Sequence, residues 1–169
     1  MSTSLPSIYK TRCGSTKDKA LLVKFMQQTY QEISPQQDFS HLTRTVEQYL
    51  STETPIWWVD IPVVNNEIAQ KQNVPKSSPI GCLWMGNAID QITNLRYAHI
   101  FLLYVIPEYR QQGIGKQLMQ EAEIWAEKRG DGQIGLQVFQ TNIPALSLYE
   151  QLGYQTQSLT MVKYLNHKN

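Results

Sequence analysis

The hydrophobic pattern of this 169-residue chain changes along its length between strand-like runs and helical stripes. The pattern is clearest in the second half. There, an almost unbroken apolar segment, Tyr97–Ile106, predicts a strand buried on both faces. A helical stripe covers Ile114–Arg129, followed by a strand over Gln133–Phe139, a short helix over Ile143–Leu152 and a last strand over Gln155–Leu165.

The first half mixes the same kinds of element with weaker periodicity. Its predicted elements are a strand over Ile8–Cys13, a helix over Lys17–Ile33 capped by Ser15 or Thr16, a second helix over Ser40–Leu50, and strands over Ile56–Ile61 and Ile80–Met85. The polar stretch Val63–Pro79 is typical of a long hairpin connection, and Gly86–Asn94 of a turn. No linker interrupts the pattern, so we expect one α+β domain over residues 1–169.

Composition narrows the class of protein. The chain is 41% hydrophobic and 17% charged, which is typical of a globular domain that needs no disulfide or metal for its core. A net charge of +1 gives no reason to expect a nucleic-acid or membrane partner. We expect no secretion signal at Met1–Pro6, and no membrane span. Cys13 and Cys82 stand apart, so we expect no disulfide, no metal site and a cytoplasmic location.

The most informative segment joins the apolar strand to the Ile114–Arg129 helix. It contains Gly113 and Gly115, with Arg110 and Lys116 at its ends. The first turn of a helix leaves backbone N–H groups without partners, and glycines let the oxygens of an anion approach them. This segment, residues 110–116, is called the signature loop below. Its chemistry favours a phosphate or diphosphate ligand, although the glycine spacing by itself is equally typical of an ordinary strand-to-helix turn.

Two common phosphate-binding loops do not fit this spacing. A Walker A loop requires glycine where Arg110 stands and serine or threonine where Gln117 stands. A dinucleotide-binding loop requires a small residue at the position of Leu118, and it usually opens the first βαβ unit of a chain. Both alternatives are therefore excluded.

Two blocks of the second half match longer patterns. After a strand ending in Val105-Ile106-Pro107, the segment Arg110-Gln111-Gln112-Gly113-Ile114-Gly115 has the form Arg-x-x-Gly-x-Gly. The second block, Asn-x-x-Ala-x-x-x-Tyr-Glu-x-x-Gly-Tyr, is formed by Asn142, Ala145, Tyr149, Glu150, Gly153 and Tyr154. In this order and separation, over Tyr97–Tyr154, the chain resembles the GNAT superfamily of acyl-CoA-dependent N-acetyltransferases. Residues 1–96 fit the opening elements of that family in outline only.

The resemblance implies a fold. The GNAT fold is an α+β, sandwich-like arrangement in which a mixed central sheet of about six to seven strands is flanked by about four helices. The sheet is splayed at the signature strand, which is the strand predicted over Tyr97–Ile106 in this chain. Residues 8–96 would form the acceptor-side half of a single domain, and residues 97–169 the acyl-CoA-binding half. Dimers are frequent in the family, which leaves a homodimer open.

The resemblance also implies an activity. Acetyl-CoA would be the cosubstrate, without a metal, and its acetyl group would pass to a primary amine of a small molecule or peptide by direct attack in a ternary complex. Two alternatives stay open: a transferase that uses another acyl-CoA, and a non-catalytic acyl-CoA-binding module. The acceptor is not identified, because Glu32, Asp38 and Glu53 are too scattered to indicate a polycationic substrate.

Most of the residues implied by the resemblance bind the cofactor. The pyrophosphate would lie on the backbone N–H groups of residues 111–116, framed by Arg110, and the pantetheine arm would run along the signature strand. The backbone N–H of Leu103 is the candidate to polarise the thioester carbonyl. The implied cofactor-binding residues are Leu103, Tyr104, Val105, Arg110, Gln111, Gln112, Gly113, Ile114, Gly115, Lys116 and Asn142.

Two side chains are candidates for proton transfer. Tyr149 lies two helical turns after Asn142, so the two can share a face. The resemblance implies that Tyr149 bonds the cofactor sulfur, and a phenol there suits the role of general acid. His99 stands six residues before Val105, where several family members carry a glutamate, and is the candidate base. Strand alternation predicts that residues 99, 101, 103 and 105 share one face. If His99 is not the base, a water chain or a residue such as Glu32 or Tyr30 would serve.

Overall fold

The computed structural model describes residues 9–62 and 77–165. The strands are β1 (Lys10–Cys13), β2 (Ile56–Pro62), β3 (Ser77–Ile89), β4 (Arg96–Val105) and β5 (Ile134–Leu136). The helices are α1 (Lys19–Ile33), α2 (Leu42–Tyr49), α3 (Ile114–Arg129) and α4 (Ile143–Gln151). The chain forms two compact units: Met1–Gln137, which contains the sheet and α1–α3, and Val138–Asn169, which contains α4.

The sheet has the strand order β1-β2-β3-β4-β5. Its first four strands are antiparallel, and β5 joins β4 in parallel. β5 pairs only with Ala98–Ile100, so the second half of β4 has no strand on that edge within the described chain. This geometry is the splay that the resemblance implies, and the mixed α+β class is confirmed.

Different helices cover the two faces of the sheet. The apolar stripe of α1, with Phe25 at its centre, packs with α2 on one face, where it meets the buried Trp58. α3 lies on the other face, where Trp125 contacts Trp57 with ring centroids 6.4 Å apart. On that face Gly81 lies against the first turn of α3, at a distance that leaves little room for a side chain. The neighbouring β2 residues Trp57 and Trp58 therefore pack on opposite faces of the sheet, Trp57 against α3 and Trp58 against α1 and α2.

A β-bulge interrupts the regular alternation of β4. Trp84 of β3 pairs with Leu102, but the next β3 residue, Met85, pairs with Ile100. Phe101 is therefore the extra residue of the bulge. Its ring contacts the Trp84 ring at a centroid distance of 4.8 Å, which places Phe101 on the α1–α2 face.

The bulge corrects one prediction from strand alternation. The His99 ring lies 5.2 Å from the Phe101 ring, so these two residues share the α1–α2 face. Val105 pairs with Gly81, which faces α3. Leu103, two residues before Val105, faces the same side of the sheet. The prediction that residues 99, 101, 103 and 105 share one face is therefore wrong, because one inserted residue reverses the phase of a strand.

Other predicted elements are confirmed or shortened. α3 has the predicted bounds, and Gly130 ends it with φ 82°. β3 continues to Ile89, through residues expected to form a turn. From Tyr97 to Val105 the side chains of β4 alternate between half-buried and buried, instead of being buried on both faces, and Arg96 is exposed. Residues 63–76 of the expected hairpin connection lie outside the described residues.

The strand count is lower than expected. The described residues form five strands rather than six to seven. The strand expected over Gln133–Phe139 is limited to Ile134–Leu136, and Gln155–Leu165 has no regular secondary structure. In that last segment, Met161 is 91% exposed and Tyr164 is 90% exposed. A strand-like sequence needs a partner and a face to bury, and propensity alone does not supply them. Within the described residues, no helix has the length and apolar character to cross a bilayer.

Candidate functional site

The signature loop bends through two residues with positive φ. After β4 and a short 3₁₀ turn at Pro107–Tyr109, Gln111 has φ 60° and Gly113 has φ 84°. Glycine adopts this conformation without strain, whereas a non-glycine residue there is uncommon. A Cβ atom at Gly113 would meet nothing within 4 Å, so the outer side of the bend is open.

None of six consecutive backbone N–H groups of this loop, those of residues 111–116, makes a hydrogen bond of ordinary length and angle with a described residue. They are bounded by the N–H of Arg110, which donates to the Pro107 carbonyl at 3.2 Å, and by that of Gln117, which donates to the Gly113 carbonyl at 2.9 Å. No side chain caps the start of α3. Because the helix dipole adds positive potential there, this array can bind the oxygens of an anion.

The open edge of β4 lies directly before the loop. The Ile106 N–H donates to the Ile80 carbonyl at 2.9 Å, and antiparallel bonds alternate along a ladder. Leu103 and Val105 therefore direct their backbone groups away from β3, towards the edge where β5 has already ended. At that edge the Val105 carbonyl accepts a hydrogen bond from Arg110 Nε at 2.8 Å.

The side chain of Arg110 is held by a carboxylate. Its Nη2 lies 2.8 Å and 2.9 Å from the two carboxylate oxygens of Glu32, and its guanidinium carbon lies 5.4 Å from the centre of the Tyr104 ring. The Tyr104 hydroxyl donates to Glu32 Oε1 at 2.7 Å. Burial, and then this bond, raise the pKa of Tyr104, which keeps the phenol protonated. Sequence reasoning did not pair Glu32 with Arg110, since 78 residues separate them and no local pattern marks the contact.

Another contact from a distant part of the chain reaches the loop. The hydroxyl of Tyr9, which is buried, donates to Gln112 Oε1. Lys116 is exposed and makes no ion pair with any described residue. The predicted loop residues therefore lie together around one bend, and Lys116 contributes an uncompensated positive charge.

His99 lies on β4 between two glycines, Gly86 of β3 and Gly135 of β5. The rings of Tyr97 and Phe101 stand on either side of it, at centroid distances of 6.2 Å and 5.2 Å. Its Nδ1 is buried and has no hydrogen-bond partner in the described chain. Burial lowers the pKa of His99, so the imidazole is neutral near pH 7 and able to accept a proton.

The remaining site candidates belong to the second compact unit. Asn142 caps α4, because its Oδ1 accepts the Ala145 N–H at 3.3 Å. Tyr149 is half-buried, and its ring lies 5.9 Å from the Tyr154 ring. Burial raises the pKa of Tyr149 to about 12, so this phenol stays protonated at neutral pH. All other predicted site residues belong to the first unit.

Solved structures share this fold. A predicted acetyltransferase from Clostridium acetobutylicum with acetyl-CoA has a TM-score of 0.66 at 20% identity, covering 92% of this chain and 96% of that one. Ribosomal-protein-alanine N-acetyltransferase from Brucella melitensis biovar Abortus has a TM-score of 0.64 at 16% identity, covering 93% and 99%. At these identities the likeness concerns the fold alone.

Sequence relatives match part of the chain. The [Ribosomal protein bS18]-alanine N-acetyltransferase of Escherichia coli (strain K12) is 39% identical over 67 residues, which are 40% of this chain and 45% of that protein. Streptothricin acetyltransferase of Streptomyces lavendulae is 40% identical over 50 residues, 30% of this chain and 26% of that protein. The chain therefore matches less than half the length of these curated relatives. The acetyltransferase (GNAT) family model matches residues 23–154, which include β4, the signature loop and α4. This chain belongs to the GNAT acetyltransferase family.

Proposed function

We propose that this chain is an acetyl-CoA-dependent N-acetyltransferase. The observation that carries the proposal is the array of six N–H groups without acceptors at residues 111–116. A diphosphate offers several oxygens and needs donors rather than bulky side chains, which fits this bend. Family membership supports coenzyme A as the source of the diphosphate. The positive charge of Lys116 adds to the attraction.

The open edge of β4 supports a position for the reacting end of the cosubstrate. The backbone N–H of Leu103 points to this edge and would donate to the thioester carbonyl oxygen, where negative charge develops. Acetyl-CoA supplies an activated acetyl group. An ammonium acceptor first loses one proton to become a neutral amine. Its nitrogen then attacks the thioester carbonyl carbon, the C–N bond of the amide forms and the C–S bond breaks. The nitrogen loses a second proton as the amide forms, and the sulfur leaves as a thiolate that takes a proton from solvent.

His99 is the proposed acceptor of the amine proton. An amine with a pKa near 10 is mostly protonated at neutral pH and has to lose a proton to react. The lowered pKa of His99 keeps its imidazole neutral, and its buried Nδ1 is not committed to another described group. The rings of Tyr97 and Phe101 pack edge-on against the imidazole, which holds its position on β4.

Tyr149 is the proposed hydrogen-bond donor to the leaving sulfur. With a pKa of about 12 it stays protonated, so it presents a donor at every working pH. Full proton transfer to a thiolate of pKa about 8.5 is uphill from such a phenol. We therefore assign Tyr149 the stabilisation of the developing thiolate by a hydrogen bond, and Asn142 a contact with the cofactor through its amide group.

We infer an amine acceptor that is a small molecule or a peptide. The names of two relatives concern an alanine of a ribosomal protein and streptothricin, which supports both kinds of acceptor without choosing between them. The test is calorimetry with CoA and acetyl-CoA, followed by thiol release over a panel of amines and N-terminally free peptides. We expect micromolar binding and release that depends on one class of acceptor. Binding without release favours the non-catalytic module, and absence of binding contradicts the proposal.

A further inference from the structure

We propose that Glu32 is a positioning residue for the signature loop: through Arg110 it holds the bend that presents the six N–H groups. The inference rests on the proposed function of that loop. Glu32 contacts none of the six N–H groups, and its only polar partners among the described residues are Arg110 and Tyr104. Its effect on the cofactor would therefore pass through Arg110.

The place of Glu32 in α1 is the first argument. It is the second-last residue of the helix, where the exposed carbonyl groups carry partial negative charge. A carboxylate is unfavourable there unless a cation compensates it. Arg110 supplies that charge to both carboxylate oxygens, so the end of α1 is tied to a residue 78 positions later.

The geometry of Arg110 is the second argument. Its Nε is bound to the Val105 carbonyl and its Nη2 to Glu32, while the guanidinium stacks on Tyr104. These contacts fix the position of Arg110, which directly precedes Gln111 and its left-handed backbone. Because the guanidinium is already bound on the α1–α2 face, Arg110 acts on the cofactor through the backbone that follows it, rather than as a free charge.

The same contacts separate this role from that of a general base. Glu32 Oε1 accepts bonds from both Tyr104 and Arg110, and Oε2 accepts a second bond from Arg110. A base has to offer a lone pair to the substrate, and other donors already occupy three of the about four lone-pair sites of this carboxylate. Glu32 was one of the alternatives to His99 as a base, and the two roles predict different kinetics.

The side chains of the pair are 42% and 40% exposed, so the pair contributes little to global stability. Glu32 variants are therefore expected to fold. Glu47 provides a matched control on α2: its carboxylate lies 2.5 Å from Lys19 Nζ, the two side chains are 51% and 42% exposed, and neither belongs to the loop.

The experiment compares Glu32→Ala, Glu32→Gln and Glu47→Ala by calorimetry with CoA and by steady-state kinetics. We expect Glu32→Ala to raise the Kd for CoA and the KM for acetyl-CoA about three- to fivefold, the upper range for the loss of an exposed ion pair. Glu32→Gln keeps an acceptor and should lose less. At saturating acetyl-CoA, kcat should stay within about twofold, and Glu47→Ala should match the wild type.

Three results would overturn the inference. If wild-type protein binds CoA and Glu32→Ala binds it equally well, the positioning role is wrong while the proposed function stands. If Glu32→Gln lowers kcat at saturating acetyl-CoA with an unchanged Kd for CoA, Glu32 acts in the chemical step instead. If the wild type itself fails to bind CoA, the proposed function falls, and this inference with it.

Discussion

Two glycine residues, Gly113 and Gly130, flank α3 at its start and its end. Both have a left-handed backbone, with φ 84° and 82°. At both positions a Cβ atom would have open space, so substitution by alanine adds backbone strain without a clash. Each alanine should lower the free energy of unfolding by about 1 kcal/mol. Only Gly113 borders the N–H array.

This pair provides a controlled test of the anion site. We expect Gly113→Glu to abolish measurable CoA binding in calorimetry, because it places bulk and negative charge at the bend. Gly113→Ala reports the cost of strain and bulk without charge, and Gly130→Ala should leave CoA affinity unchanged. If Gly113→Glu binds CoA with the affinity of the wild type, residues 111–116 do not form the binding site.

His99 should control the acid limb of the pH–rate profile. Because burial lowers its pKa from the usual value of 6.5, the neutral, proton-accepting form persists to a more acidic pH and is lost only below 6.5. After correction for titration of the acceptor amine, kcat/KM should fall below that pH in the wild type. His99→Ala should show a lower rate and no such limb. A profile identical to that of the wild type would exclude His99 as the base.

Tyr149 should affect turnover more than binding. Phenylalanine keeps the ring and its contact with Tyr154 but removes the donor to the developing thiolate. We expect Tyr149→Phe to lower kcat about a hundredfold and to change the Kd for acetyl-CoA less than about threefold. Since the pKa of this phenol is about 12, the wild type should show no loss of rate from Tyr149 ionisation between pH 7 and 9. Unchanged turnover in the variant would remove Tyr149 from the mechanism.

The bulge of β4 organises the site at the scale of the element. Phe101, the extra residue, covers Gly86 so closely that a Cβ atom there would lie 1.8 Å from its ring. The glycine therefore leaves room for the Phe101 ring to pack against the rings of Trp84 and His99. A larger residue at position 86 would force this aromatic group apart.

Gly86→Ala should lower the free energy of unfolding by about 1–3 kcal/mol, measured by chemical denaturation. Phe101→Leu removes the atoms that clash, so the double variant should lose less stability than the sum of the two single variants. Gly132→Ala is the control, because a Cβ atom there meets nothing within 4 Å and its φ is not positive. Additive losses would contradict the proposed contact.

On the scale of the whole molecule, the fold leaves one of the two cysteine thiols exposed and buries the other. Cys13 is exposed, whereas Cys82 is buried in the core between the sheet and α1–α2, where desolvation raises the pKa of its thiol. We expect one thiol to react with an aromatic disulfide reagent in the native protein and two after denaturation. Cys13→Ser should give none in the native state. Rapid reaction of two thiols in the native wild type would contradict the packing of β3.

Local patterns in the sequence determined much of this molecule. Hydrophobic periodicity placed α3 with its observed bounds, and the spacing of residues 105–115 and 142–154 indicated the family that the comparison confirms. Ser15, one of the two predicted caps, caps the short 3₁₀ turn at Thr16–Asp18 that leads into α1. These features depend on residues within a few turns of one another, so the sequence carries them directly. The roles of His99, Tyr149 and the cofactor-binding residues stay predictions.

Contacts between distant segments were decided only by the tertiary structure. The phase of β4 changes at Phe101 because a bulge depends on the partner strand, and the pairing of Glu32 with Arg110 joins residues 78 positions apart. The strand expected over Gln155–Leu165 did not form within the described residues, although its sequence is strand-like. Register, ion pairing and strand addition depend on which surfaces meet after folding, and the periodicity of one segment contains no information about its partner.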